Sequence, residues 1–223
     1  MINRIIITPF FLSLLILPVQ LLSQTAAHSL LIETGKGNLK CILYDETPLH
    51  AENFIKLVNE GFYDGLLFHR VINNFMIQTG DPNSRDAQKG APLGYGDPGY
   101  RVPGEFHPNL YHRKGVLASA RQGDQINPAR ESNGSQFYIV QGKKLTSAEL
   151  DAMEIDGSHI AFTAEQRDYY TNLGGTPHLD YAYTVFGEVV EGIEVIDKIA
   201  SVPTDEKNRP LEDVRIIRIS VLK

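Results

Sequence analysis

Apolar and polar positions alternate from Ser29 to Glu33 and from Leu39 to Tyr44, and Gly35-Lys36-Gly37-Asn38 between them carries hairpin-turn chemistry. The period then lengthens. Ala51, Phe54, Ile55 and Val58 recur at helical spacing behind Thr47 and Pro48, and Gly61 ends the run, which predicts an amphipathic helix with Thr47 as its N-cap. Strand patterning returns at Leu66 to Ile72 and Phe75 to Gln78, split by Asn73-Asn74, and again at Gly115 to Ala120 and Ser135 to Val140. Thr79 to Arg113 is rich in Gly, Pro and Asp and reads as a loop with a short strand near Tyr100 to Val102. Long structureless loops in compact domains are usually functional, so this one is expected to pack against the sheet or frame a site. Leu145 to Pro177 predicts a helical interlude with two capping boxes, Thr146 with Glu149 and Thr163 with Gln166, stopped by Gly174-Gly175. Strands follow at Ala182 to Val189 and Val214 to Leu222, with a helix over Glu191 to Ala200 between them. Many short strands and few helices indicate a mainly β barrel or sandwich, and pattern alone does not choose between the two.

The pattern fails only at the start of the chain. Arg4 precedes an apolar run from Ile5 to Leu22, interrupted by Thr8, Pro9, Ser13, Pro18 and Gln20, with small residues between Ser23 and Ala27. Residues 1–27 therefore read as a secretory signal peptide, and residues 28–223 as one exported domain, periplasmic or secreted; an uncleaved anchor is the competing reading. No later stretch is apolar and long enough to span a bilayer, so no membrane contact is expected of the mature domain. The 223 residues suffice for one buried core, and a formal charge of −6 offers no basic stripe for nucleic acid. Cys41 is the single cysteine, shares strand parity with Leu39 and Leu43, and reads as a buried small hydrophobe.

The run Phe68-His69-Arg70-Val71-Ile72-Asn73-Asn74-Phe75-Met76-Ile77-Gln78-Thr79-Gly80-Asp81 resembles the signature of the cyclophilins. Two further segments are similar in order: Gly115 to Ala120 continued by Ser132 to Ile139, and Leu179-Asp180 with Tyr183 to Gly187. The resemblance extends from about Ser29 to the C-terminus. It implies a closed eight-stranded antiparallel β-barrel with capping helices, here carrying a helical insertion at about residues 145–177. It also implies a peptidyl-prolyl cis-trans isomerase that acts on proline-containing polypeptides; together with the leader this gives the expectation of an enzyme that assists the folding of exported proteins, and a monomer is expected.

The chemistry fits those residues independently. Rotation about an X-Pro bond breaks amide resonance, with an uncatalysed barrier of roughly 18 to 20 kcal/mol. Only tighter binding of the twisted amide lowers that barrier. The twisted nitrogen exposes a lone pair, and Arg70 supplies a permanently charged donor for it. No covalent bond is made or broken, so no metal, cofactor or acid/base pair is required. By resemblance Met76, Gln78, Gln136 and Tyr138 line an outer groove that Phe75 reaches from the strand entry, and the two glutamines hydrogen-bond the peptide and orient Arg70. Ala120 and Arg121 take the positions that meet the peptide backbone, and Leu179 and Tyr183 close the pocket. An arginine in an apolar strand is ordinarily a snorkelling edge residue; the three matched segments together reverse that prior. His69, His107, His112 and His178 lack zinc-ligand spacing, and Gly94-Tyr95-Gly96 reads as a plain turn. The rival class is a non-catalytic proline-peptide binding module or chaperone on the same fold, and a docking role for the inserted helices is compatible with either.

Several positions depart from the family pattern. The chain has no tryptophan, and His178 stands where many members carry one that contacts cyclosporin. Tyr183 replaces a histidine, Tyr138 a phenylalanine and Thr79 a glycine, and Arg121 holds a position often occupied by asparagine. Weak cyclosporin binding is expected, and a titration that ends in tight, stoichiometric inhibition contradicts it.

Overall fold

The computed structural model describes residues 28–222; the leader expected at residues 1–27 lies outside the described residues. Strands β1 (Ser29–Thr34) and β2 (Gly37–Leu43) form the expected hairpin, followed by helix α1 (Pro48–Asn59) and strands β3 (Arg70–Ile72) and β4 (Met76–Thr79). Next come β5 (Arg101–Val102), β6 (Val116–Ser119), β7 (Ser132–Asn133) and β8 (Phe137–Val140). Helices α2 (Ser147–Ile155) and α3 (Ala164–Asn172) make up the insertion, and β9 (Val185–Glu191), α4 (Ile193–Ala200) and β10 (Ile216–Val221) complete the chain. Eight strands pair antiparallel in the order β10-β1-β2-β9-β6-β8-β4-β3, and β5 pairs with β7 in a separate two-stranded ladder.

The sheet is a curled, open half-barrel, and this qualifies the expectation of a closed barrel. Its edge strands β3 and β10 share no ladder. The strand predicted over Leu66 to Ile72 is laddered only from Arg70, because the preceding residues spend their hydrogen bonds elsewhere. Gly65 and Phe68 donate to the carbonyls of Ile216 and Val214, and Ile216 donates back to Leu66, each at 2.8 Å.

Period-2 patterning explains the core. Leu30 faces Cys41 and Ile32 faces Leu39 across the hairpin, and all four side chains are fully buried. Burial also drives the Cys41 thiol pKa far up, as its reading as an inert hydrophobe requires. Helices α1 and α4 lay Phe54, Leu57, Val195, Ile196 and Ile199 into the same inner core. Strand β8 is buried on both faces: Phe137 and Ile139 join that core, and Tyr138 and Val140 join a second cluster on the outer face with Met76, Val116, Ala118 and Val185. The outer cluster is the foundation of the site. A third, smaller cluster of Tyr111, Leu150, Phe162 and Tyr170 holds the insertion, whose two capping boxes both form.

One cap differs from expectation. The Thr47 hydroxyl is buried without a partner, and Glu105, far along the chain, does the capping instead. Its carboxylate accepts from the backbone N–H of Leu49 at 3.1 Å and His50 at 3.0 Å, and lies 2.6 Å from His50 Nδ1. His50 Nε2 in turn meets Ser132 Oγ at 2.8 Å. A serine, histidine and glutamate in this order could suggest a nucleophile relay. Ser132, however, is only 2% exposed and the adjoining cavity is about 10 Å³, room for about one water. The trio is a tie between α1, the long loop and β7. Glu105→Ala removes the cap and orphans a buried imidazole donor, and should lower stability by about 2 to 3 kcal/mol in urea unfolding; an unchanged midpoint would remove this assignment.

Candidate active site

Strand register sets the site. Arg70 pairs with Gln78, Gln78 with Tyr138, and Tyr138 with Ala118, so one row crosses β3, β4, β8 and β6 on the outer face. Arg70 Nη1 donates to Gln78 Oε1 at 3.2 Å, Gln78 Nε2 to Gln136 Oε1 at 3.0 Å, and Gln136 Nε2 to the Gly96 carbonyl at 2.7 Å. This relay fixes the half-buried guanidinium from behind, and among the described residues no other acceptor takes its remaining donors.

Arg70 faces a cavity of about 340 Å³. Phe75, Met76 and Tyr138 supply its apolar floor, Ala120 and Arg121 one wall, and Leu179 and Tyr183 another. Nine of the ten residues singled out from the sequence, Gln78 included, line this one hollow. The tenth, Gln136, lies just outside β8 and opens onto an adjoining cavity of about 310 Å³ that shares Gln78, Ala120 and Arg121. Phe75 sits in the turn before β4, behind Asn74 at φ 61°, and its carbonyl accepts from Gln141 at 3.0 Å and Gly142 at 2.9 Å. Its ring centroid lies 6.0 Å from the Arg70 guanidinium carbon, and the His178 ring stacks on it at 5.6 Å. Arg121 is largely committed to its surroundings. Its guanidinium stacks 4.5 Å over Tyr183, donates to the Ala182 carbonyl at 2.7 Å and pairs with Asp124 at 2.6 Å, so it braces the Tyr183 wall.

Burial lowers the Arg70 pKa, an effect Tyr183 opposes, and a guanidinium keeps its charge at any ordinary pH. Burial also pushes His69 down to about 4 and His178 below the usual histidine value. At neutral pH both rings beside the pocket are therefore neutral, and the cations in its lining are Arg70, Arg121 and Lys207. Among the described residues no group of three or more His, Cys, Asp or Glu side chains is placed to hold a metal ion.

Three parts of the wall escaped the sequence reading. Leu93, Gly94 and Tyr95 come from the long loop, so the segment read as a plain turn is a wall of both cavities, and the Gly96 carbonyl anchors Gln136. Lys207 reaches the rim from the turn before β10, and His69 lines the hollow beside Arg70. Only the loop's length and its Gly and Pro content signalled a framing role.

Comparison with known proteins agrees with this geometry. The family model described as cyclophilin type peptidyl-prolyl cis-trans isomerase/CLD matches residues 29–221. A Staphylococcus saprophyticus protein, provisionally named a peptidyl-prolyl cis-trans isomerase, is 33% identical over 87% of this chain and 91% of its own length. A Streptococcus pyogenes protein, provisionally named a bifunctional phosphatase/peptidyl-prolyl cis-trans isomerase, is 39% identical over 85% of this chain, which spans 38% of that relative's length. Among solved structures, a Cryptosporidium parvum cyclophilin type isomerase superposes with TM-score 0.63 at 26% identity, covering 88% of this chain and 98% of that one. The same protein in the presence of the dipeptide Ala-Pro gives TM-score 0.62 at 26% identity, covering 87% and 99%. The chain belongs to the cyclophilin-type peptidyl-prolyl cis-trans isomerases.

The relay predicts a separable effect. Gln78→Ala removes the acceptor that holds Arg70 and frees Gln136, so kcat should fall about tenfold with KM little changed. Steady-state kinetics on a proline tetrapeptide measure both, and a wild-type kcat would show that Arg70 is held by other means.

Proposed function

We propose that the pocket grips the proline ring of an X-Pro peptide on Phe75, Met76, Leu179 and Tyr183 while Arg70 donates to the prolyl nitrogen as the amide twists. The observation that carries this reading is the placement of Arg70: half-buried, held by Gln78, and facing an apolar hollow of about 340 Å³. In the planar ground states the nitrogen lone pair is delocalised and accepts poorly. At the half-turned geometry it is localised and basic, so the guanidinium binds the transition state more tightly than either isomer. The half-buried setting strengthens that bond relative to water. An acceleration of about five powers of ten corresponds to about 7 kcal/mol of differential binding. That is a plausible sum for one charge-assisted hydrogen bond and a positioned, desolvated ring.

Proline-containing polypeptides are the occupants that best match the cavity, and the Ala-Pro dipeptide in the related Cryptosporidium structure supports that class. Gln78, Gln136 and the Ala120-Arg121 main chain are read as the peptide-orienting groups. The hydrogen bonds between residues 65–68 and 214–216 are read as the seam that closes the curl into a barrel. We further read the enzyme as a monomer that serves exported polypeptides after removal of residues 1–27, on the strength of that leader's composition.

Arg70→Ala should lower kcat about a hundredfold or more in a protease-coupled assay and leave peptide Kd within about threefold, because the lost bond belongs to the transition state. With no proton transferred, wild-type kcat should be flat between about pH 6 and 8. A variant as fast as wild type ends the mechanism.

A further inference from the structure

We propose that the inserted helices are a positioning module for the proline pocket, which they hold by gripping the buried carboxylate of Asp180. The inference rests on the isomerase reading above and assigns Asp180, His112, His159 and Tyr170 as positioning residues of that site.

The Asp180 side chain is fully buried, beside the pocket wall residue Leu179 in sequence. One carboxylate oxygen accepts from the His112 backbone N–H at 2.7 Å and lies 3.0 Å from His112 Nδ1. The other accepts from the Tyr170 hydroxyl at 2.6 Å and lies 3.0 Å from His159 Nε2. The last two donors belong to the insertion. On the pocket side, His112 Nε2 sits 3.0 Å from the Tyr138 hydroxyl, on the cavity floor. With Nδ1–H donated to Asp180, Nε2 is left to accept from Tyr138, so one polarised chain joins the insertion to the floor. Tyr181, the next residue, is held at φ 60°, which a bulky side chain rarely adopts. Insertion side chains brace it: Gln166 Nε2 donates to its hydroxyl at 3.2 Å, and the His159 ring lies 5.5 Å from its ring.

His159 gives the module a chemical signature. Its Nδ1 lies 2.5 Å from the Ile160 carbonyl and its Nε2 faces the Asp180 carboxylate, so both ring nitrogens meet acceptors and both must donate. The ring is then an imidazolium paired with a carboxylate. The other groups facing it agree. Glu154 adds negative charge and is itself paired with Arg167; Phe162 stacks on the ring at 3.8 Å, the Tyr181 ring lies alongside, and Tyr170 shares the Asp180 oxygen. Burial opposes the charge on His159, but the bonds to Asp180 and Ile160 outweigh it and raise the pKa above the usual histidine value. For Asp180, burial likewise opposes ionisation, and the His112 and His159 bonds prevail to lower its pKa. A raised folded-state value means the clamp is complete below the ordinary histidine pKa and is lost as pH climbs through the raised one.

The experiment is the pH dependence of kcat, KM and peptide Kd on a proline tetrapeptide for wild type, His159→Gln and Tyr170→Phe. Wild-type KM and Kd should rise with pH above the ordinary histidine value of about 6.5 while kcat stays level. His159→Gln keeps a donor and cannot be charged, so it should raise KM and Kd about fivefold at pH 6 and abolish their pH dependence. Tyr170→Phe, a loss of one atom, should raise both in the same direction if His159→Gln folds poorly, and combined with Tyr138→Phe its effect should be non-additive. KM and Kd that match wild type at every pH in both single variants would overturn the proposal. Absent turnover in wild type would strike the isomerase reading instead, and the Kd series would still decide the positioning role.

Discussion

A cation must keep its charge while half withdrawn from water, and the rest of the site is arranged around that constraint. Fully exposed, the Arg70 guanidinium would be screened and mobile; fully buried, it would demand a carboxylate partner that cancels it. The fold resolves this by ending the outer apolar cluster at edge strand β3. Arg70 stands at that boundary with an amide rather than a carboxylate behind it. An amide oxygen orients the guanidinium without neutralising it, so the cation's field still points into the hollow.

That arrangement requires a sheet buried on both sides over part of its width. Strands β6 and β8 are buried at every position, with alternate residues assigned to the inner core and to the outer floor. The long loop and the segment from Pro177 to Tyr183 form the walls above that floor. Where β1 and β2 face the same curl, alternation is clean and no floor exists. The pocket is therefore a consequence of local two-faced burial, and the register from Arg70 through Gln78 and Tyr138 to Ala118 aligns its polar and apolar groups.

Features carried by local chemistry were legible in the sequence. Both capping boxes, the hairpin and the parity of Cys41 depend on neighbours a few residues away, and the signature around Arg70 together with the two later segments and the adjoining Arg121 supplied nine residues that line one cavity. Features that depend on distant partners were not. Thr47 looked like a cap, but the carboxylate of Glu105, 55 residues beyond His50, won the helix N-terminus, because it could also satisfy His50. Gly94-Tyr95-Gly96 has turn composition whether or not a glutamine binds its carbonyl. The strand predicted from Leu66 lost its first half to hydrogen bonds with residues 214–216, which no periodicity could reveal.

If the insertion positions the pocket as proposed, such distant partners matter even to catalysis that moves no proton. On the proposed reading, a loosened wall would grip the proline ring less tightly in ground state and transition state alike, which raises KM and Kd and leaves kcat level. A firm grip on the ring would come from over-determined groups behind the wall. Asp180 is such a group: two donors reach it from His112 ahead of β6, one from Tyr170 on α3, and one from His159 in the connection between α2 and α3. Helix α2 has a single buried side chain and α3 two, so the insertion adds little to the inner core, and its polar reach toward Asp180 is the more specific contribution. In the proposed mechanism the reaction carries no titrating group, so the protonation of His159 would act through the shape of the groove.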